Sequence, residues 1–298
     1  MESFFCRIFA LKMEYAATIG FFDGVHCGHL YLLSQLRQQA ARSGVGAMAV
    51  TFRQHPRQII TGVNVPLLTS EKERISLLQR QVESVTELDF ASVRNLSAEE
   101  FLRFLRSDYG VRILLMGYDH HFGSDRLSSP ADYVACGKRA GVEVLTVPQA
   151  PEGAVSSSKI RKALEEGDVM SAGTMLGRPY SIEGEVVHGR GLGRTLGFPT
   201  ANLQPAEPCM LIPRNGVYAA EVVSGKRIWR AVVNIGTNPT IGNNRQTIEA
   251  HLIDYEGESL YGSTLVLRFL RRLREERRFD SLDSLRRQIE SDILSLVQ

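Results

Sequence analysis

The chain has 298 residues, 43% of them hydrophobic and 23% charged, and its 35 Lys and Arg against 33 Asp and Glu leave a formal net charge of +2. This composition excludes a collagen-like, coiled-coil or disordered chain, and the near-balanced charge gives no reason to expect nucleic acid or an anionic membrane as a partner. The length suggests two domains, each with enough chain to bury a core.

From Tyr15 to about Pro148, short runs rich in Val, Ile and Phe alternate with amphipathic stretches, the pattern of a parallel sheet covered by helices. The runs of strand length are AATIGFF (16–22), AMAVTF (47–52), SVTELDF (84–90), VRILLMG (111–117) and VEVLTVP (142–148). Between them Leu30, Leu33 and Leu36, then Ile75, Leu77 and Leu78, then Phe101, Leu102 and Leu105 recur near helical spacing and predict crossover helices. A short helix is expected over Val169–Leu176, ended by Gly177 and Pro179. The domain boundary falls in this region, 165–180, giving domains 1–175 and 176–298.

Beyond the boundary the runs GEVVHG (184–189), GVYAAEVV (216–223), RIWRAVVNIG (227–236), TIEAHLID (247–254) and TLVLRFL (264–270) are separated by Gly, Ser and Asn. They read as antiparallel strands of a small barrel, with a hairpin turn at Val223-Ser224-Gly225-Lys226. Leu282, Leu285, Ile289, Ile293 and Leu296 set the register of a last helix, N-capped by Asp280 or Ser281. The four cysteines, Cys6, Cys27, Cys136 and Cys209, lack CxxC or zinc-finger spacing, so neither a structural metal nor a disulfide framework is expected. No apolar run approaches the roughly 18 residues of a membrane span, and the stretch from Phe4 to Leu11 carries Arg7 and no small-residue cleavage site. A reduced, cytoplasmic protein is expected.

Two constellations carry chemistry. In the first, GFFDGVHCGH (20–29) follows the first strand directly and sets His26 and His29 around Gly28, where a helix should begin. A helix N-terminus offers free N–H groups and a positive dipole end, Gly28 lets a phosphate approach the backbone, and two imidazoles three residues apart can face one anion. VSSSKIR (155–161) opens another helix with three hydroxyls and sets Lys159 and Arg161 in its first turns, the groups that binding a pyrophosphate requires. Cys27 reads as a small spacer, because this chemistry needs no thiolate.

GFFDGVHCGH resembles the signature of the HxGH nucleotidyltransferase superfamily, in the branch that includes bacterial bifunctional riboflavin kinase/FAD synthetases. TFRQHP (51–56), GYDHHFG (117–123) and VSSSKIR resemble further segments of that branch, with departures at Phe21, Arg53, Gln54, His120 and Ser158. SDRLSSPADY (124–133) stands where the family more often has a Gly-rich basic loop, so no ATP contact is carried over to it. The resemblance implies catalytic roles for His26 and His29, ATP or phosphate binding by Gly28, Ser157, Ser158 and Arg161, and nucleotide or flavin binding by Asp119. A helix-capping role suits Asp119 as well.

In the second constellation, the glycines of GRGLGRTLGFPTANL (189–203) allow backbone amides to wrap phosphates. Thr200 and Asn202, two apart on an extended segment, direct oxygens to one side, and hard oxygen ligands suit magnesium. In a strand, Glu249 points away from Ile248 and Ala250, and His251 shares its face, either positioning it or making a simple cross-strand contact. GRTLGFPTAN resembles the riboflavin kinase fingerprint, and GVYAAEV (216–222), VVNIGTNPTIG (232–242) and IEAHLIDYEGESLYG (248–262) follow in that family's order. The resemblance implies Glu249 as catalytic base, Gly191, Gly193 and Gly197 at the phosphates, Thr200 and Asn202 on the metal, Asn234 and Thr237 near the flavin, and REERRF (274–279) closing over the flavin side. The arginine-rich stretch 268–287 has interleaved acids and reads as a solvated helix and loop rather than an RNA surface.

The resemblance thus implies an α/β plus β fold, with an N-terminal Rossmann-like HxGH nucleotidyltransferase domain followed by a small antiparallel β-barrel riboflavin kinase domain with a C-terminal helix. The activity implied is two-step FAD synthesis, from riboflavin to FMN and from FMN to FAD with release of pyrophosphate. ATP is the co-substrate, Mg2+ the metal, and FMN first product and then substrate. The partners are small molecules (riboflavin, FMN, FAD and ATP), without nucleic acid or membrane, and the oligomeric state is left open. Adenylylation of another acceptor, nicotinamide mononucleotide or phosphopantetheine, is compatible with HxGH alone, but the fused kinase signature stands against it. A flavin- or nucleotide-binding module with one decayed site is the non-enzyme alternative, and retention of His26, His29, Thr200, Asn202 and Glu249 stands against that.

Overall fold

The five apolar runs of the first half become β1 (Tyr15–Ile19), β2 (Gly46–Phe52), β3 (Ser84–Leu88), β4 (Val111–Gly117) and β5 (Glu143–Val147), one parallel sheet in the order β3-β2-β1-β4-β5. This computed structural model describes residues 13–118, 120–151, 153–189, 192–237 and 246–297. The intervening helices are α1 (Cys27–Ser43), α2 (Pro56–Thr61) with α3 (Glu71–Gln79), α4 (Phe90–Val93) with α5 (Ala98–Tyr109), and α6 (Pro130–Ala140). Ala16, Ala17, Ala47, Ala49 and Val50 are fully enclosed, as expected of parallel strands covered on both faces. Connections leave β1 toward β2 and β3 on one side and run through β4 and β5 on the other. A crevice therefore opens at the carboxyl ends of β1 and β4.

Helix α6 occupies a stretch in which the sequence reading places no element. Its signal is local: Ser129 and Asp132 form a capping box, Pro130 takes the first turn, and Gly141 ends the helix in the left-handed region at φ 71°.

The chain divides into two compact units, the first Met1–Phe22, Gly28–Val63 and Ile75–Ala154, the second Asp23–Cys27, Asn64–Arg74 and Val155–Gln298. In the second unit, α7 (Ser157–Glu166) and α8 (Val169–Leu176) precede β6 (Tyr180–Val187), α9 (Leu192–Thr195), β7 (Ala201–Pro205), β8 (Gly216–Ser224), β9 (Arg227–Thr237), β10 (Gln246–Leu252), β11 (Thr264–Arg274) and α10 (Leu282–Val297). The strands close into a barrel in the order β10-β7-β6-β11-β8-β9. Inward residues such as Ile182, Val222, Val233, Ile248, Leu265 and Leu267 fill it. The β8–β9 hairpin turns at Gly225, φ 58°, with Ser224 opposite Arg227. Ser281 accepts from the Ser284 N–H at 3.2 Å at the start of α10. Strand β7 was not expected as a strand: it arises from the TANL end of the Gly-rich segment and is held by β6 and β10 on either side.

The helices α7 and α8 pack with the barrel. Ile160, Ala163, Leu164, Val169, Ala172 and Leu176 belong to the same apolar cluster as Tyr180, Tyr218 and Phe269, and Arg214 donates its N–H to the Leu164 carbonyl at 2.9 Å. The compact unit that holds the barrel takes in the chain from Val155 onward. Each buried aliphatic side chain contributes about 1.5–3 kcal/mol. A fragment starting at Val155 should accordingly melt higher than one starting at Leu176, by ~5 °C or more in calorimetry. Equal melting temperatures would show that α7 and α8 do not share this core.

Candidate active sites

The turn from β1 into α1 is strained. Phe22 (φ 57°) and Val25 (φ 39°) lie in the left-handed region on either side of Gly24 (φ 82°), a conformation that a bulky or β-branched residue keeps only where its surroundings enforce it. His26 ends this turn with 5% exposure, and Gly28 and His29 lie in the first turn of α1. The His29 ring meets Phe22 edge-on with centroids 5.2 Å apart.

Asp23, within the same turn, is 3% exposed. Its Oδ1 accepts from the N–H groups of Leu68 at 2.9 Å and Thr69 at 3.3 Å, and its Oδ2 receives Nη2 of Arg161 at 2.5 Å. Burial pushes the Asp23 carboxyl above its ordinary range, and the charge of Arg161 opposes the shift. Ser156 N-caps α7, accepting from the Lys159 N–H at 3.3 Å. Ser157, the next residue, donates its hydroxyl to the Asp23 carbonyl at 3.0 Å. Ser158 is exposed. The residues expected at the phosphates thus divide: Ser157 and Arg161 converge on Asp23, and Ser158 faces outward. Asp119 lies outside the described residues.

A cavity of about 670 Å³ opens at the carboxyl ends of the first unit's strands, lined by Phe21, Phe52, Phe90, Phe101 and Phe122 together with Arg94, Arg126, His120 and His121. His120, one of the departures from the family pattern, is among its walls. Sequence reasoning passed over Arg94 and Arg126, which stand in connections after β3 and β4 and belong to no motif, and it read Phe90 only as the end of an apolar run. His55, from TFRQHP, accepts from the Arg57 N–H at 3.1 Å to cap α2 and rests its ring 4.6 Å from that of Phe21.

In the barrel, Glu249 on β10 stands opposite Asn202 on β7 and Asn234 on β9. Ile248, Ala250 and Leu252 point into the barrel core, so Glu249 and His251 face outward. There they line a cavity of about 330 Å³ with Thr200, Asn234, Val217, Phe198, Phe279, Leu285 and Ile289. Thr200 donates its hydroxyl to Glu249 at 3.5 Å and also lines a second cavity of about 350 Å³ with Tyr255, Leu260 and Tyr261. Nδ1 of His251 lies 2.9 Å from the Pro199 carbonyl, and its ring meets Phe198 edge-on, so this side chain fixes the segment that carries Thr200.

Asn234 donates to Glu276 at 3.4 Å, and Asn215 donates to Glu276 at 3.3 Å and to Thr237 at 2.7 Å. These bonds draw segment 274–279 over the cavity. At Gly193 a Cβ would collide with the Phe198 carbonyl, and Gly197 sits at φ 87°, so this loop needs both glycines. Gly191 lies outside the described residues. Among the described residues no group of three or more His, Cys, Asp and Glu side chains is placed to hold a metal. Thr200 and Asn202 offer neutral oxygens instead.

The family model for riboflavin kinase matches residues 176–297, and that for FAD synthetase matches residues 10–160. A Pseudomonas fluorescens protein named bifunctional riboflavin kinase/FMN adenylyltransferase is 38% identical over 283 residues, 93% of this chain and 90% of that one. The protein of the same name from Haemophilus influenzae is 36% identical over 285 residues, covering 93% and 92%. The chain belongs to the bifunctional riboflavin kinase/FMN adenylyltransferase family.

A solved structure from Streptococcus pneumoniae, named a macrolide-efflux protein, is similar to this family member with a TM-score of 0.87 and 31% identity over 96% of this chain and 94% of that one. Among the described residues no helix is long and apolar enough to cross a membrane. The α/β plus β architecture expected from the motifs is the one observed, with the kinase match on the barrel and the FAD synthetase match on the parallel sheet.

Helix α10 is anchored beside the kinase cavity by Arg274. Its Nε and Nη2 donate to the carboxylate of Asp292 at 2.8–3.1 Å, and Asp292 is 5% exposed. Removing one partner of a buried pair leaves the other charge uncompensated. Arg274→Ala should therefore destabilise the second unit by about 3 kcal/mol in denaturant unfolding. A loss below about 1 kcal/mol, the value of an exposed pair, would show that α10 is not held this way.

Proposed function

We propose that this family member phosphorylates riboflavin to FMN in residues 176–298 and adenylylates FMN to FAD, releasing pyrophosphate, in residues 1–175, with ATP as co-substrate in both steps. The observation that carries the reading is Glu249, paired across the sheet with Asn234 and lining with it a cavity whose edge residue, Thr200, is shared with a second cavity. Two substrates must meet at one carboxylate, and two cavities that share Thr200 provide for that.

Riboflavin places its ring against Phe198, Val217, Phe279, Leu285 and Ile289, beside Asn234, and its 5′-hydroxyl at Glu249. Glu249 takes the hydroxyl proton as the oxygen attacks the γ-phosphorus, and ADP leaves. ATP occupies the cavity bounded by Tyr255 and Tyr261. Loop amides around Gly191, Gly193 and Gly197 offset charge on the transferred group. Thr200 and Asn202 would hold Mg2+, since they are hard oxygen donors two apart on an extended segment, and the metal supplies charge neutralisation at the phosphates.

In the α/β half, the flat FMN ring is suited to the aromatic cavity around Phe21, Phe52 and Phe90, with Arg94 and Arg126 as its cations. This wall favours a flavin over other adenylyl acceptors. The FMN phosphate is already ionised near neutral pH, so no side-chain nucleophile is needed: one of its oxygens bonds to the α-phosphorus of ATP as the bond to pyrophosphate breaks. His26, His29 and the α1 N-terminus at Gly28 stabilise charge at that centre. The N-terminus of α7 at Ser157 and Ser158, together with Arg161, takes the pyrophosphate, and Asp119 contacts the nucleotide. The protein's substrates and products are small molecules, its oligomeric state is left open, and the free thiols of Cys27, Cys136 and Cys209 among the described residues suit the reduced cytoplasm.

Glu249→Gln keeps shape but cannot accept a proton, so riboflavin phosphorylation should fall by about 10²–10⁴ while supplied FMN is still converted to FAD. Chromatographic separation of flavins reads both steps, and near-normal FMN production would remove Glu249 as the base. His29→Ala should do the reverse, cutting FAD formation from FMN by roughly 10² and sparing the kinase step. Unchanged FAD formation would take His29 out of the site.

A further inference from the structure

Asp23 has no role in the chemistry above, yet it is among the most enclosed charged groups of the chain, at 3% exposure. Its carboxylate joins three segments that are far apart in sequence. Leu68 and Thr69 donate main-chain N–H groups to Oδ1, and Arg161 donates Nη2 to Oδ2. Its own carbonyl receives the Ser157 hydroxyl, and the next residue, Gly24, donates its N–H to Oγ1 of Thr69 at 3.1 Å. Nε of Arg161 goes to the Pro66 carbonyl at 2.7 Å, and the fully buried Arg74 acts on the same carboxylate through space.

An arginine side chain released from partners samples many rotamers, and ordering it at a ligand then subtracts from binding. Here two of its three nitrogens are committed, which leaves Nη1 as the donor for an anion and fixes the plane in which it lies. The one hydroxyl hydrogen of Ser157 goes to the Asp23 carbonyl, so Ser157 ties the start of α7 to the same turn rather than donating to an anion. We propose that Asp23 is a positioning residue of the adenylyl-transfer site, setting where Arg161 stands for the departing pyrophosphate. This rests on the functional reading above.

Asp23→Asn preserves size and the acceptor for Leu68 and Thr69 but removes the charge that holds Arg161. In the full chain, calorimetric titration with pyrophosphate should show a Kd raised by about tenfold or more, and kcat for FAD formation should fall by ~10–100-fold with KM for FMN within about twofold. Riboflavin phosphorylation should be unchanged. Arg161→Lys, which keeps charge but cannot span Asp23 and Pro66 together, should move the same quantities in the same direction, and it decides the matter if Asp23→Asn fails to fold. Parent values of pyrophosphate Kd and kcat in a folded variant would overturn the proposal. So would a proportional loss of both activities at unchanged Kd and KM, the mark of a purely structural role. A parent chain that binds pyrophosphate but makes no FAD would break the functional reading alone, and the Kd comparison would still decide the role of Asp23.

Discussion

A carboxylate withdrawn from water must find compensating charge and donors or give up its ionisation, and Asp23 meets that requirement with groups drawn from across the sequence. Two peptide N–H groups of segment 64–69 and the guanidinium of Arg161 converge on a turn that also carries His26. The turn therefore cannot adopt its conformation unless that segment and the start of α7 are in place, and all three fall in one compact unit with the barrel. Arg178 extends the arrangement: it donates to the Val25 carbonyl at 3.5 Å and pairs with Glu73 at 3.4 Å. Ser181 of β6 donates to the same Glu73 carboxylate at 3.2 Å. The strained φ of Val25 has a cause in these contacts. A buried ion pair contributes little net stability once desolvation is counted, so what this one adds is the single geometry it imposes.

The kinase half solves its positioning problem with the sheet itself. The period of two in β10 sends Ile248, Ala250 and Leu252 into the barrel and Glu249 and His251 out. Main-chain ladders to β7 and β9 fix Glu249 from both sides, so its carboxylate inherits the rigidity of a closed barrel that has no free edge. The apolar core behind it and the cavity in front of it follow from the same alternation. What the sheet cannot supply is a roof. That comes from segment 274–279 and α10, tied down by Arg274 to Asp292 and by Asn234 and Asn215 to Glu276.

How much of this is legible in the sequence follows from the range of each interaction. The five parallel strands lie on five apolar runs, because burial on both faces leaves a continuous signature within the strand itself. Glu249 is legible for a related reason, since its two neighbours declare the opposite face. Helix α6 lies in a stretch that departs from the family's Gly-rich loop, and its Ser-Pro-x-Asp start is a sufficient local signal for it. Strand β7 escaped because it is short and its pairing comes entirely from β6 and β10. The boundary at 175/176 marks where strand texture begins, and the apolar cluster shared by α7, α8 and the barrel lies on both sides of it. The partners of Asp23 lie 45 and 138 residues away, so no pattern of spacing could announce them. Arg126 reaches the cavity from a loop, and Phe90 and Arg94 from the two ends of the four-residue helix α4, which is too short to show a period.

The two sites face a common requirement: each transfers a phosphorus centre between oxygens, and neither needs a covalent intermediate with the protein. Rate then depends on how firmly donors and acceptor are held at the moment charge moves, which is the regime of positioning and preorganised dipoles. The barrel meets it with backbone ladders, which are rigid because each peptide group is bonded on both sides. The HxGH turn has no such ladder. It places bulky residues at positive φ, a conformation unfavourable in isolation, and must be held by charge and by long-range hydrogen bonds instead. Concentrating those restraints on one enclosed carboxylate makes the turn specific at the expense of robustness, because every restraint on it depends on the same few atoms. A substitution beside Glu249 is spread over three paired strands, whereas one at Asp23 releases the turn, the 64–69 segment and Arg161 together.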